Sequence, residues 1–295
     1  MSASVFAPVT RFLALCAIAL AGFAGSAAAQ QAETFYFSAI PDDDEQRLTE
    51  RFGKVADYLS NELGVPVRYI PVKSYAAAVT AFRNGQIQLA WFGGLSGVQA
   101  RLAVPDSHAI AQGAEDAAFV TYFIANTDTG IAASDDFPDI AGRRFTFGAQ
   151  TSTSGRLMPD YYIRQETGQA PEELFADVGY SGDHGQTLRL VASGAYEVGA
   201  LNFSVYDQAV AEGAPEVGTA RVIWKTPPYP DYNWTIRGDV DARWGAGFAD
   251  RVQAALLDMD DPDLLASFPR SAFIPADDAL YAPIAEVARD LDLIE

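Results

Sequence analysis

Cysteine is almost missing from this chain: Cys16 is the only one, and it lies in an apolar run near the N-terminus. Histidine is nearly as scarce, with His108 and His184 alone. A histidine- or cysteine-built metal centre is therefore excluded, because such a site needs several of these ligands together. A disulfide framework is excluded as well, so the fold has to rest on its core. Nor is there a long hydrophobic run. The apolar stretch Phe12 to Ala24 falls short of the roughly 20 residues that a membrane span requires. Basic charge is also in short supply, with 20 Lys and Arg against 39 Asp and Glu and a formal net charge of −19. Such a surface repels nucleic acid and anionic lipid, so neither is expected as a partner. An anionic ligand would have to be met by local donors in a buried cleft. No dinucleotide fingerprint and no P-loop is present, and no cofactor is expected.

What is there begins with a leader. Arg11 is the sole charge before Glu33, and the apolar run after it ends in Gly25-Ser26-Ala27-Ala28-Ala29-Gln30. A charged start, a short apolar centre and small residues at the A-x-A positions make a secretory signal peptide. Residues 1–29 are expected to be removed, leaving a periplasmic chain. Leu15 is too large for the position before a lipidated cysteine, so Cys16 leaves with the leader. The mature chain is long enough for two lobes.

Strand and helix alternate along it. Phe35 to Ile40 reads as a strand, and Asp42-Asp43-Asp44 supplies caps for the next helix. Leu48, Phe52, Val55, Leu59 and Leu63 recur at helical spacing, and Gly64 closes the helix. Val65 to Ile70 returns as a strand, followed by a helix from Ser74 to Asn84 and a strand from Ile87 to Phe92. This rhythm predicts an α/β fold with mainly parallel sheets flanked by helices. Ala81 to Ala90 can be laid beside Leu190 to Gly199: each is a helix end, a glycine stop and a short buried strand. One such unit in each half predicts two lobes. Residues 30–122 and 226–295 are expected to form lobe I, and 123–225 lobe II. The hinge is placed at two crossings, near Thr121–Asn126 and Lys225–Thr235.

The chemistry concentrates in turns that open helices. In Phe147-Gly148-Ala149-Gln150-Thr151-Ser152-Thr153-Ser154-Gly155 a strand ends in a hydroxyl-rich turn and runs into a helix. Free backbone N–H groups and the helix dipole meet there, which makes an anion cradle. Ser152, Thr153 and Ser154 add hydroxyls that rotate to suit a tetrahedral oxyanion. One serine suffices to cap a helix, so three in a row exceed a cap's needs. His184 sits at the opening of the helix that ends at Gly194, although an isolated histidine is more often a packing or capping residue. Trp91-Phe92-Gly93-Gly94-Leu95-Ser96-Gly97 is a third strand-turn-helix start, with Ser96 as a donor, and Tyr75 opens the helix before it. These residues also fit an ordinary core and a glycine turn.

Enzyme readings fare worse. Gly94-Leu95-Ser96-Gly97-Val98 lacks the final glycine of a nucleophile elbow. A hydrolase built on Ser154, His184 and Asp183 would need a carboxylate that is adjacent to the histidine in sequence to support its ring, an awkward geometry.

At these residues the chain resembles the phosphate/phosphite/phosphonate-type periplasmic binding proteins of ABC importers. The likeness rests on Ser152-Thr153-Ser154-Gly155 with Pro159-Asp160-Tyr161-Tyr162 after it, on Gly182-Asp183-His184, on Ala90-Trp91-Phe92-Gly93 and on Val222-Ile223-Trp224-Lys225. It implies a monomeric type II-like receptor that closes on a small oxyanion and delivers it to a membrane permease. It also implies ligand contacts from Tyr75, Ser152, Thr153, Ser154 and His184. Phe92 stands where phosphonate-binding members commonly carry tyrosine, and Ser204 near a glutamate that holds an aminoalkyl ligand. Asp231 offers a replacement carboxylate. The Phe92 to Arg101 turn further resembles a branch described as selenate receptors. Selenate, phosphite, phosphate and phosphonate are thus the candidate ligands. A phosphorus oxyanion that keeps a proton would favour an acceptor at Asp183 or Asp231. A sensing module for a membrane kinase is the alternative on the same fold.

Overall fold

A computed structural model describes residues 33–295, so the leader expected at 1–29 lies outside the described residues. No helix among the described residues is long and apolar enough to cross a membrane.

Two sheets organise the chain. The first half supplies β1 (Phe35–Ala39), β2 (Val67–Tyr69), β3 (Leu89–Phe92) and β4 (His108–Gly113). Next come β5 (Thr121–Asn126), β6 (Arg144–Phe147), β7 (Asp177–Tyr180), β8 (Val198–Asn202) and β9 (Ala220–Lys225), and the chain returns with β10 (Asn233–Ile236) and β11 (Phe273–Pro275). The six-stranded sheet of lobe I has the order β11-β4-β10-β3-β1-β2, and the five-stranded sheet of lobe II the order β7-β6-β8-β5-β9.

The helices follow the sequence pattern closely. Helix Glu45–Leu63 is capped by Asp44, buries the apolar stripe from Leu48 to Leu63, and stops at Gly64 in the left-handed region. Helices Tyr75–Arg83 and His184–Ala192 both lead through a left-handed glycine, Gly85 and Gly194, into a buried strand, β3 and β8. His108 opens β4.

The sheets are mixed and not mainly parallel. β1 pairs in parallel with β2 and β3, and β6 with β7 and β8. Against these cores lie β10 beside β3 and β5 beside β8, both antiparallel. Each is a strand laid down just after the chain has changed lobes, so it enters its sheet from the hinge end and runs the opposite way. Such pairing is non-local, and periodicity cannot report it.

The crossings are short. β5 is bonded into the lobe II sheet from Thr121 onward, so the first crossing precedes the Thr121–Asn126 stretch read as a hinge. It pairs with the second crossing as a two-stranded ribbon. Phe119 and Tyr229 exchange backbone hydrogen bonds of 2.8 and 2.9 Å, and the Thr226 N–H donates to the Thr121 carbonyl at 3.1 Å. A buried ion pair ties the ribbon to lobe I, with Arg270 donating to both oxygens of Asp116 at 2.7 Å.

Candidate functional site

The hydroxyl-rich turn opens helix Met158–Thr167 with a widened first turn. Leu157 N–H donates to the Ser152 carbonyl at 3.0 Å, and Met158 N–H to that of Thr153, each reaching back five residues. Such turns leave more N–H groups without helical partners than an ordinary helix start, and they recur at functional sites. Ser152 Oγ takes one of them, Gly155 N–H, at 2.9 Å. The turn folds back on β6, since Gly148 N–H donates to the Gly155 carbonyl at 2.7 Å. Both glycines are dictated by that approach: a Cβ on Gly155 would stand 3.1 Å from both Gly148 Cα and His184 Cε1.

His184 is fully buried against this turn, in the first turn of its helix. Its Nδ1 accepts Asn202 N–H at 3.2 Å, which fixes the neutral tautomer that carries its proton on Nε2. Nε2 is buried without a protein partner. Burial pushes the imidazole down to about 4, so at neutral pH His184 is a hydrogen-bond donor with no charge. Asp183 does not support the ring. Its Oδ1 caps the helix by accepting Gln186 N–H at 2.6 Å, so the Ser154–His184–Asp183 hydrolase arrangement does not form.

Lobe I presents the opposite chemistry. Asp231 is 1% exposed. Its Oδ1 accepts Gly94 N–H at 2.8 Å, its Oδ2 has no partner, and the carboxyl lies beside Thr153 and Ser154. Burial raises its carboxyl to about 7. Tyr75 is buried with an unpartnered hydroxyl beside Ser152, and burial holds its phenol protonated. Tyr75, Asp231, Ser152, Thr153, Ser154 and His184 therefore converge on one buried region between the lobes.

Three other residues expected at the site are satisfied within their own lobe. Phe92 packs edge-on to Phe82 in the core, with ring centroids 5.6 Å apart. Ser96 Oγ caps its own helix by accepting Gly93 N–H at 3.1 Å. Ser204 Oγ donates to Asn202 Oδ1 at 2.8 Å. Strand-end position in the sequence could not distinguish these caps and core rings from groups left free.

Two residues escaped the sequence reading. Asp42 was grouped with the helix caps, yet Asp44 alone caps, and Asp42 is buried with Oδ1 unpartnered. Burial raises its carboxyl, Tyr232 lies beside it, and Arg51 pairs with Asp43 instead at 3.6 Å. Tyr232 in turn spans the cleft, its hydroxyl accepting from Asn202 Nδ2 of lobe II at 3.1 Å. The available signal was position: Asp42 follows β1 at its C-terminal end, where open α/β sheets bind ligands.

Two mixed α/β lobes joined by a double crossing, with unpaired polar groups buried between them, define a two-lobed substrate-binding protein. The chain belongs to a family of such receptors, the one described as "ABC transporter, phosphonate, periplasmic substrate-binding protein", whose pattern matches residues 37–281. It is 39% identical over 264 residues to a probable ABC transporter phosphite binding protein, PhnD1, of Prochlorococcus marinus, covering 87% of this chain and 89% of that one. The structure of that organism's PhnD1 in complex with methylphosphonate superposes with a TM-score of 0.85 at 38% identity, over 88% of this chain and 99% of the other. The binding component of an ABC phosphonate transporter from Pseudomonas aeruginosa shares the fold, with a TM-score of 0.75 at 20% identity, over 87% and 85% of the two chains. Proteins of this family are the substrate-binding components of importers and not enzymes.

Proposed function

We propose that this protein captures a small phosphorus oxyanion that retains an acidic proton, phosphite first and a short alkylphosphonate second, and hands it to its permease. The observation that supports the reading is the buried Asp231 carboxyl beside Ser154, with one oxygen anchored on Gly94 N–H and the other without a partner. A carboxylate there accepts the proton of a protonated oxyanion, and it repels selenate or sulfate, which are fully ionised and have none to give. Ser152, Thr153, Ser154, the His184 Nε2–H and the Tyr75 hydroxyl supply donors for the remaining oxygens. The PhnD1 names of phosphite and methylphosphonate agree with this chemistry. Export through cleavage after Ala29, a monomeric state and the two-lobe division belong to the same reading, with the first boundary moved from 122/123 to just before Thr121, where β5 joins the lobe II sheet.

Calorimetric titration of residues 30–295 with phosphite, methylphosphonate, phosphate, sulfate and selenate tests it. Phosphite or methylphosphonate should bind at micromolar affinity or better, about 8 kcal/mol, with selenate and sulfate at least a hundredfold weaker. Selenate binding as tightly as phosphite would overturn it.

A further inference from the structure

Helix Gly94–Ala103 of lobe I has spent the donors that usually make a helix start an anion site. Gly93 N–H is taken by Ser96, Gly94 N–H by Asp231 Oδ1, and Leu95 N–H by Thr153 Oγ1 of lobe II at 3.0 Å. The last of these is a hydrogen bond across the cleft, made by a residue of the turn that holds the other two hydroxyls. Thr153 is buried, as is the Leu95 backbone around it. A threonine oxygen that accepts still has its own proton to donate, toward the Asp231 carboxyl or a captured anion. The two glycines before Leu95 make room for it. A Cβ on Gly93 would stand 3.2 Å from Thr153 Oγ1, and one on Gly94 3.4 Å from the same atom. These glycines have ordinary backbone angles, since neither lies in the left-handed region. Atoms from both sides close on these positions, since the same Cβ atoms would also stand 3.2 Å from Asp231 Oδ1 at Gly93 and 3.3 Å from the Pro230 carbonyl at Gly94. Close approach, and not a turn requirement, accounts for the missing side chains.

We infer that the Leu95 N–H to Thr153 Oγ1 bond is a closure clasp, and that Thr153 is a positioning residue that links lobe closure to the captured anion. The inference rests on capture between the lobes but not on which anion is captured. A contact that exists only when the lobes meet acts on release and not on encounter. Replacing Leu95 by its α-hydroxy acid turns the amide N–H into an ester oxygen and deletes this donor. Phosphite release should then become about five- to tenfold faster, the scale of one buried hydrogen bond, with the association rate unchanged. Thr153→Val should speed release at least as much, Thr153→Ser should restore it, and the ester should add nothing in the Thr153→Val background.

A second readout needs no ligand. The described residues contain no cysteine, so spin labels on Glu62→Cys in lobe I and Glu172→Cys in lobe II report the interlobe distance directly. The ester should shift that distribution toward longer distances in the ligand-free protein. Unchanged release together with an unchanged distribution would overturn the clasp. Failure of the native protein to bind any phosphorus oxyanion, with the distribution still shifted by the ester, would instead remove the proposed ligand and leave the clasp standing.

Discussion

The two walls of the cleft are chemically opposite. Lobe II faces inward with hydroxyls, a helix start and an imidazole whose free nitrogen carries a proton: Ser152, Thr153, Ser154 and His184. Lobe I faces inward with carboxyls and phenols: Asp42, Asp231, Tyr75 and Tyr232. A site for a bare dianion would repeat the lobe II chemistry on both sides. In the proposed reading the lobe II donors and Tyr75 would serve the oxygens and Asp231 a proton. The contrast also bears on how a chain with so large an acidic excess would hold an anion: most of the donors are gathered on lobe II, and all of them are buried away from the repulsive surface.

The sharpest way to break the contrast is to neutralise Asp231. Asp231→Asn should weaken phosphite by about thirtyfold, the equivalent of about 2 kcal/mol for a charge-assisted bond, and should strengthen selenate in the same titration. Equal losses for both anions would mean that the wall does not read the proton. On the other wall, Ser154→Ala should weaken every oxyanion by about tenfold, about 1.4 kcal/mol, without changing their ranking; a changed ranking by calorimetry would assign selection to lobe II as well.

The walls should also titrate in opposite senses. His184 is depressed by burial to about 4 from 6.5, so the unfolded chain binds its proton more readily. Its stabilisation is full above pH 6.5 and lost as the pH falls toward 4, about 3 kcal/mol in all. Asp231 is raised by burial to about 7 from 3.8, so its contribution is full below pH 3.8 and lost as the pH rises through 7. The two windows overlap and offset each other in the native protein. In thermal melts between pH 4 and 7, His184→Gln should therefore leave stability falling with pH and Asp231→Asn should leave it rising with pH. The smallest effect belongs to the rim. Arg47 of lobe I donates to both oxygens of Glu212 of lobe II at 2.8 and 2.9 Å, with both side chains nearly half exposed. Glu212→Gln should speed ligand release about twofold at low salt, and the difference should vanish in high salt.

Much of one wall was legible in the sequence and little of the other. Lobe II's donors come from contiguous runs, Ser152-Thr153-Ser154 and Asp183-His184, at helix starts whose anion affinity is local physics. Lobe I's groups come from three distant segments, around Asp42, Tyr75 and Asp231 with Tyr232. Only the fold brings them together, and only burial separates Asp42 from the two aspartates after it. The helices and the helix-glycine-strand units were visible for the same local reason. Strand direction was not, because pairing joins residues far apart in sequence. Ser96 and Ser204 had the right chemistry at helix starts, and local partners claimed them first.

The widened turn at Ser152 amounts to a counting device. An α-helix advances about 100° per residue, and a turn that reaches back five residues holds one residue more than regular winding would. Deleting a single residue between Ser152 and Leu157 would let the segment wind regularly, and it would swing the hydroxyls about a quarter-turn off the cleft while leaving every one of them in the sequence. The site is thus specified by a number of residues as well as by their identity, and a one-residue deletion there should silence capture more completely than any single side-chain replacement.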